Sequence, residues 1–494
     1  MKVLNQTIAL VYKDDLFTIY DGNQIRQFNS FDGMVNAITW KNKSHKIIIW
    51  CYNLSEMILE VEEDKFDLVR KHSNRGYTVK FAKLNNVQFN NLKDFYGGIQ
   101  LEEIKRLLSV KGNDPLMITY QAVEYERNNN NGKISKIPIT STGYVRRDLS
   151  DLNLINEFSK MYSSITEESH KMMTECISGG LNGIDTEYTD SELYVNCYDF
   201  KSFYPWIMYT QDFPRFAYKV VHPTSIDEAN DLARRSKLWL ATIKFKYLIP
   251  LGQDWLKIKK MNKYSITLTS LDYDIIRGSY KYEIESIDSI IVFKRPKPLP
   301  DKLRQFIKGK FLVKESCKKD TMEYELAKKG LNSIFGLFYQ DQTKYDNDCD
   351  CWTAKERPYV IGLFTAAYGR YYLWQIMHEH NPAQWDTDGF KTRDTLDLTE
   401  YNEHRRVEDM MLGQLMCERE CVPITLFANK QYMVNNELRI AGTSGRLAME
   451  YFNKLGRKPH CGDVIPPEYT SQQRLIKGKL TRVHFTIGKD FYNA

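Results

Sequence analysis

Three short segments carry the side chains best suited to chemistry on phosphates. In "YDFKSFYP", Asp199 ends an alternating, strand-like run just before a helix start that holds Pro205 in its first turn. A carboxylate placed there can hold a metal while helix N–H groups face a phosphate, although capping the helix is its plainer use. In "ELAKKGLNSIFG", a helix would bring Lys328, Asn332 and Phe335 onto one face at i, i+4 and i+7, with Gly336 beside them. A lysine and an asparagine above a ring can meet a triphosphate and a base; an amphipathic helix with solvated lysines has the same spacing. In "QWDTDGF", Asp386 and Asp388 stand at a period of two, on one side of a hairpin that Asp388-Gly389 turns. Two carboxylates so placed repel unless cations offset them. The later ligands of a calcium loop do not follow, so a plain turn is the competing reading.

The elements that must position these groups are legible around them. "SELYVNCYDF" reads as a strand and "SFYPWIMYT" as the helix after it. From about Leu299 the pattern is helical and basic: two helices separated by a polar break, with Lys310, Lys314, Lys318 and Lys319 adding positive charge. "PYVIGLFTAAYGRYYLWQIMHEH" reads as one long helix, "AQWDTDGFKT" as a hairpin, and "ITLFANKQYMVNNELRIAG" as β structure. Upstream, "LFTIYDG" and "QIRQF" read as strands joined at Asp21-Gly22, and the run ending in Trp50 and Cys51 as a buried strand. "ERNNNNGK" reads as a polar loop, and Leu149, Leu152, Ile155, Phe158 and Met161 or Tyr162 as one helical stripe. "KLWLATIKFKYLIP" and "YKYEIESIDSIIVFKR" are two further strands, and the tail from Thr443 is mixed and basic.

The chain of 494 residues fits two to four packed units. Apolar content of 42% and charged content of 27% are those of a folded soluble protein. A net charge of +6 suits an anionic partner, and 13% aromatics can stack on bases or fill cores. No signal peptide or membrane-length apolar run is expected, and nine Cys in no regular framework read as reduced thiols. "CDC" (Cys349, Cys351) and "CEREC" (Cys417, Cys421) lack zinc-finger spacing.

The order of these segments resembles the family B DNA polymerases, specifically their protein-primed bacteriophage (phi29-like) branch. "DFKSFYP" resembles the family's motif A, DxxSLYP; "KKGLNSIFG" resembles motif B, KxxxNSxYG; "WDTDG" resembles motif C, YxDTDS; and Lys430-Gln431-Tyr432 resembles the KxY motif. "IAGT" (440–443) resembles a short segment after KxY. The likeness covers about residues 140 to 450. Trp385 and Gly389 depart from motif C and Phe335 from motif B, while the carboxylates and Asn332 remain. "AAYGR" (366–370) resembles Tx2GR with Ala366 for Thr, and "ISGG" (177–180) resembles YxGG with Ile177 for Tyr.

The resemblance implies an α+β multidomain fold, a right hand of palm, fingers and thumb with an N-terminal RNase H-like, exonuclease-type domain. It implies residues 1–165 as that N-terminal domain, 166–305 as the first part of the palm with an insertion near 215–295, 306–355 as fingers, 356–435 as the second part of the palm and 436–494 as thumb. The implied activity is DNA-dependent DNA synthesis on a primer 3′-hydroxyl. Asp199, Asp386 and Asp388 would be catalytic, with two Mg²⁺ (or Mn²⁺) held by Asp199, Asp388 and the Phe200 carbonyl. Ser202, Phe203, Tyr204, Lys314, Lys328 and Asn332 would bind the nucleotide, Tyr204 as a steric gate against a 2′-hydroxyl. Lys318, one helical turn from Lys314, competes with it for the triphosphate. Lys430, Tyr432, Gly179, Gly180 and Arg370 would touch DNA. Implied partners are primer–template DNA, dNTPs, a terminal protein primer and a single-stranded DNA-binding protein, with no membrane, in the cytoplasm of a bacterial host.

The family's exonuclease motifs are eroded. "WCYNLSEM" keeps Asn53 and Leu54 of HNLxFD but has Tyr52 for His and Met57 for Asp; no DxE precedes it, and Asn90 stands where an Asp is expected. "YVRRD" keeps Tyr144 and Asp148 of YxxxD. One surviving carboxylate cannot hold two metals, so proofreading is expected to be lost unless Asp14, Asp15 or Glu56 substitutes. The segment at 339–358 resembles a reduced form of the insertion that supports strand displacement in phi29-like enzymes. The rival readings are a reverse transcriptase or RNA polymerase, and a non-catalytic DNA-binding relic.

Overall fold

The computed structural model describes residues 2–40, 42–61, 65–73, 76–215, 218–258, 265–346, 351–353, 357–403, 407, 410–476 and 479–489. The N-terminal part is built on one mixed sheet. Its strands are β1 (Ala9–Lys13), β2 (Leu16–Tyr20), β3 (Ile25–Phe28), β4 (His45–Cys51), β5 (Asp67–Ser73), β6 (Gly76–Leu84) and β7 (Val87–Asn91), in the order β3-β2-β1-β4-β7-β6-β5. Strand β4 runs parallel to both β1 and β7, and the other pairs along this path are antiparallel. The apolar run of β4 is buried because helices cover both of its faces: Ile47 and Ile49 pack with α1 (Phe31–Thr39) and α2 (Leu54–Glu60), and Trp50 with Phe95 and α3 (Pro115–Asn129). Helix α3 runs through Asn129, so the expected loop at "ERNNNNGK" begins four residues late. Glu126 is buried in its last turn, where the Tyr96 and Tyr144 hydroxyls satisfy it. The stripe from Leu149 to Met161 is split between α4 (Thr142–Asp151) and a second helix, Ile155–Tyr162, with Asn153 at φ +50° in the break.

The second sheet is antiparallel throughout. Its strands are β8 (Asn182–Ile184), β9 (Glu192–Phe200), β13 (Gln384–Asp386), β14 (Gly389–Thr392), β15 (Leu415–Ala428), β16 (Gln431–Val434) and β17 (Glu437–Ile440), in the order β17-β16-β15-β9-β14-β13-β8. Between β9 and β13 the chain makes α5 (Phe203–Thr210), then a smaller sheet containing β10 (Trp239–Pro250), β11 (Ser265–Thr269) and β12 (Tyr280–Val292), with α6 (Ser270–Ser279) between the last two. Three long helices follow: α7 (Asp301–Ser316), α8 (Met322–Phe338) and α9 (Tyr359–His380). Helix α9 is buried nearly all round, from Val360 to Met377, which is why its sequence shows no polar stripe. The basic tail contains α10 (Gly445–Leu455), which lays Ala448 and Phe452 on Leu438 and Ile440. Among the described residues no helix is long and apolar enough to cross a membrane.

Candidate active site

A cleft of about 560 Å³ opens where β9, β14 and β15 meet α5, α7 and α8, and Asp199, Asp388, Ser202, Tyr204, Lys314, Lys328 and Asn332 all line it. Each arrives for a local reason. Helix α7 buries Leu303, Ile307, Phe311 and Lys314, one inward stripe at spacings of four, four and three. Lys314 is the stripe's last member, and its Nζ donates to Ser202 Oγ at 3.0 Å. Lys318 lies past the helix end at Ser316 and is exposed, so the inward stripe separates the two lysines. Helix α8 starts with the Thr321 hydroxyl accepting from the Tyr324 N–H; it buries Leu331, Ile334 and Phe338 and turns Lys328 and Asn332 to the cleft. Phe335 stacks on Tyr204 with centroids 4.1 Å apart. The stack continues to Tyr339, whose hydroxyl accepts from the Gly179 N–H at 2.7 Å.

The hairpin turn differs from the expected Asp388-Gly389 bend. Asp388 N–H donates to the Asp386 carbonyl at 2.7 Å across Thr387, which sits at φ +65°. That is a γ-turn of the rarer, strained hand, unusual for a β-branched residue. Two neighbours hold it: Thr387 N–H donates to the Leu181 carbonyl at 2.6 Å, and the Asp388 carbonyl accepts from Phe200 N–H at 2.9 Å. Gly389 is a strand residue opposite Asp199, and a Cβ there would come within 2.7 Å of Asp199 Oδ1. It is glycine because the Asp199 carboxylate occupies that space.

Asp386 and Asp388 therefore part company, against the expectation that both lie on one side of the hairpin. Asp388 lines the cleft, while Asp386 faces an adjoining groove shared with Lys430 and Tyr432 and accepts an ion pair from Lys430 Nζ at 2.8 Å. Sequence reasoning missed Glu418, which also lines the cleft. On β15, Cys417 pairs with Tyr198 and Arg419 with Cys197, so Glu418 is the extra residue of a β-bulge, which re-aims a side chain. Burial, then Asp388 and Glu418, push the Asp199 carboxyl well above the usual carboxylate range, against Lys328 and Lys391. Asp388 is raised by burial and by Asp386, against a backbone hydrogen bond and Lys430. Burial also lowers Lys314.

Arg370 does not reach a surface. It is 2% exposed, donates from Nε and Nη2 to Asp272 at 2.7 and 3.0 Å, and donates to the carbonyls of Gly179 (2.5 Å) and Ile177 (3.2 Å). Its place is beneath the "ISGG" turn, where it fixes Gly179 and cannot itself touch a nucleic acid. Gly180 is packed so tightly that a Cβ would come within 2.9 Å of the Tyr204 hydroxyl and 3.2 Å of Thr387 Cα. Tyr432 lies under Lys391, whose Nζ is 4.3 Å from the ring centroid.

In the N-terminal part, Tyr144 donates to Glu126 Oε2 at 2.9 Å and Asp148 pairs with Lys310 Nζ at 2.7 Å. Asn53 caps α2 without a side-chain hydrogen bond to the helix, and Asp14 and Asp15 occupy an exposed turn at φ +51° and +61°. Cys349 lies outside the described residues. Among the described residues no group of three or more His, Cys, Asp or Glu side chains is placed to enclose a metal ion. The cleft instead offers a half-buried pair, Asp199 and Asp388, that disfavours its own ionisation. This fits Mg²⁺, which takes one or two carboxylates and completes its shell from water and substrate phosphates.

No protein-family model and no curated protein matches the sequence. Solved structures do match. Phi29 DNA polymerase complexed with primer-template DNA and incoming nucleotide substrates aligns at 14% identity and a TM-score of 0.70, covering 98% of this chain and 99% of that one. Phi29 DNA polymerase complexed with single-stranded DNA aligns at 14% identity and a TM-score of 0.72, covering 98% and 100%. From end to end, the chain has the fold of the phi29-like family B DNA polymerases.

Proposed function

We propose that the chain is a DNA-dependent DNA polymerase that adds deoxynucleotides to a primer 3′-hydroxyl. The observation that carries this is the joint presence in one cleft of Asp199, Asp388, Lys314, Lys328 and Asn332, drawn from segments that span positions 199 to 388 of the chain. By this reading the second sheet is the palm (166–305 and 356–435, with the insertion near 215–295), residues 306–355 the fingers, 436–494 the thumb and 1–165 a former exonuclease domain. Asp199, Asp388 and the Phe200 carbonyl would hold Mg²⁺, two ions in the family's manner, with Mn²⁺ able to substitute. Metal held there would supply Lewis acidity for the 3′-hydroxyl and positive charge against the triphosphate. Lys314 and Lys328 meet phosphate oxygens as point charges. Ser202, at φ +56° before α5, keeps its hydroxyl on Lys314 and leads into the first-turn N–H groups near Phe203, which face the same phosphates. Asp386 orients Lys430, which with Tyr432 holds the primer strand. Gly179 and Gly180 shape the DNA path, and Arg370 supports them from below.

Tyr204 is wedged between Phe335 and Gly369, where a Cβ on Gly369 would come within 2.9 Å of its ring. A ring held so firmly excludes a 2′-hydroxyl from the sugar site. Tyr204→Val should raise ribonucleotide incorporation at least tenfold in competition with dNTPs (about 1.4 kcal/mol of discrimination); unchanged sugar choice would remove the gate. Wild-type protein offered DNA and RNA templates with both nucleotide types should copy DNA with dNTPs, whereas efficient copying of RNA would favour a reverse transcriptase.

Proofreading is absent in this reading, since Asp148 is paired with Lys310 and Asn53 and Asn90 carry no charge. A labelled primer with a mispaired end should keep its length in Mg²⁺ without nucleotides; metal-dependent shortening would restore the exonuclease. The phi29 likeness further supports a phage-encoded enzyme of the bacterial cytoplasm. It also supports a terminal protein primer and a single-stranded DNA-binding partner, while the short 339–358 segment, a reduced form of the family's insertion, implies weaker strand displacement.

A further inference from the structure

The N-terminal part keeps two matches to a hydrolytic motif, and both side chains are engaged elsewhere. The Tyr144 hydroxyl donates to Glu126 and accepts from Asn130 Nδ2 at 2.7 Å. Asp148 on α4 pairs with Lys310 on α7, and α4 lays Val145 and Leu149 in the same hydrophobic core as α7 and α8. The traffic continues along α8. Met322 is 1% exposed within the N-terminal hydrophobic cluster of Trp50, Phe95 and Ile118, and Leu326 packs on the same cluster. Glu323 Oε1 accepts from the Tyr125 hydroxyl at 2.9 Å. Lys329 Nζ donates to the Phe95 carbonyl at 3.3 Å, across the space left by Gly97, whose Cβ would collide with that ammonium.

These anchors alternate with the groups that line the cleft. Lys310 is one helical turn before Lys314 on α7, and Lys329 directly follows Lys328 on α8. The hairpin of α7 and α8 is thus gripped from outside by the N-terminal part while its inner face presents Lys314, Lys328 and Asn332. We propose that the N-terminal part is a bracket that fixes this hairpin, with Asp148 and Tyr125 as positioning residues that set where Lys314 and Lys328 meet a nucleoside triphosphate. The triphosphate half of this statement rests on the polymerase reading; the bracket half does not. A domain without a usable carboxylate set then still governs nucleotide affinity.

The test uses Asp148→Lys, Lys310→Asp, their combination, and the milder Tyr125→Phe in the full chain. Each charge reversal should raise the KM for dNTP about fivefold, equivalent to about 1 kcal/mol, with kcat within about twofold. The exchanged pair should recover the wild-type KM, which a merely damaged fold would not. Tyr125→Phe should move KM in the same direction by less. Amide hydrogen exchange without nucleotide or DNA should quicken across residues 301–338 in the single reversals and slow again in the pair. Unchanged KM and exchange in the single variants, or a pair that fails to recover them, overturns the bracket. A wild-type chain that adds no nucleotide overturns the polymerase reading instead, and the exchange measurement still decides the bracket.

Discussion

Asp199→Asn and Asp388→Asn should each cut nucleotide addition by at least a thousandfold, about 4 kcal/mol of barrier, while the protein stays folded. Both carboxylates are half-buried in the cleft: partial burial raises both above the ordinary range, Asp388 and Glu418 raise Asp199 further, and Asp386 raises Asp388. The sign follows from that direction. A carboxyl raised in the fold favours the native state only at low pH, and the advantage is lost as pH rises through its folded value. At neutral pH without metal, ionising the pair therefore costs stability, and an asparagine removes part of that cost. The melting midpoint of each variant should equal or exceed the wild-type value in a chelating buffer. Added Mg²⁺ should stabilise the wild type more than either variant, because binding to the folded state alone raises its stability. A variant that retains activity, or one that loses it only by unfolding, would count against the two carboxylates as the reacting centre.

Arg370→Ala should produce the largest loss of stability, about 3–5 kcal/mol. Asp272 is 0% exposed, and with Arg370 gone its charge would remain buried with only the Thr269 cap as partner. Arg370→Lys should recover little, because one ammonium cannot replace a fork that spans both Asp272 oxygens and two backbone carbonyls. Urea unfolding at an unchanged denaturant slope would measure the loss. Full stability combined with weakened DNA binding would mean that Arg370 works at a surface, contrary to its burial.

What the sequence made legible was whatever depends on near neighbours. The strand into Asp199, the helix after it, the two basic helices, the long helix and the DTD hairpin all follow from local periodicity and turn chemistry, and all form where expected. Spacing alone leaves the cleft lysine on α7 open between Lys314 and Lys318. The inward stripe of Leu303, Ile307 and Phe311 carries the information that separates them, since Lys314 continues it. Contacts between distant segments were not legible. Arg370 meets Asp272 at a separation of 98 residues, so its burial has no local signature. Glu418 enters the cleft through a bulge in pairing with a strand more than two hundred residues earlier. The parting of Asp386 from Asp388 depends on a γ-turn at Thr387, a residue whose type opposes that conformation. The carbonyl of Leu181 and the N–H of Phe200, both remote in sequence, hold it there.

The cleft itself is tested most directly by extension of a labelled DNA primer on a DNA template with purified protein, Mg²⁺ and dNTPs. The expected result is template-directed growth in single-nucleotide steps, stopped by a chelator and absent in Asp388→Asn. A correctly folded wild-type protein that binds the primer–template yet adds no nucleotide, with Mg²⁺ or Mn²⁺ and from either a DNA or a protein hydroxyl, would contradict it.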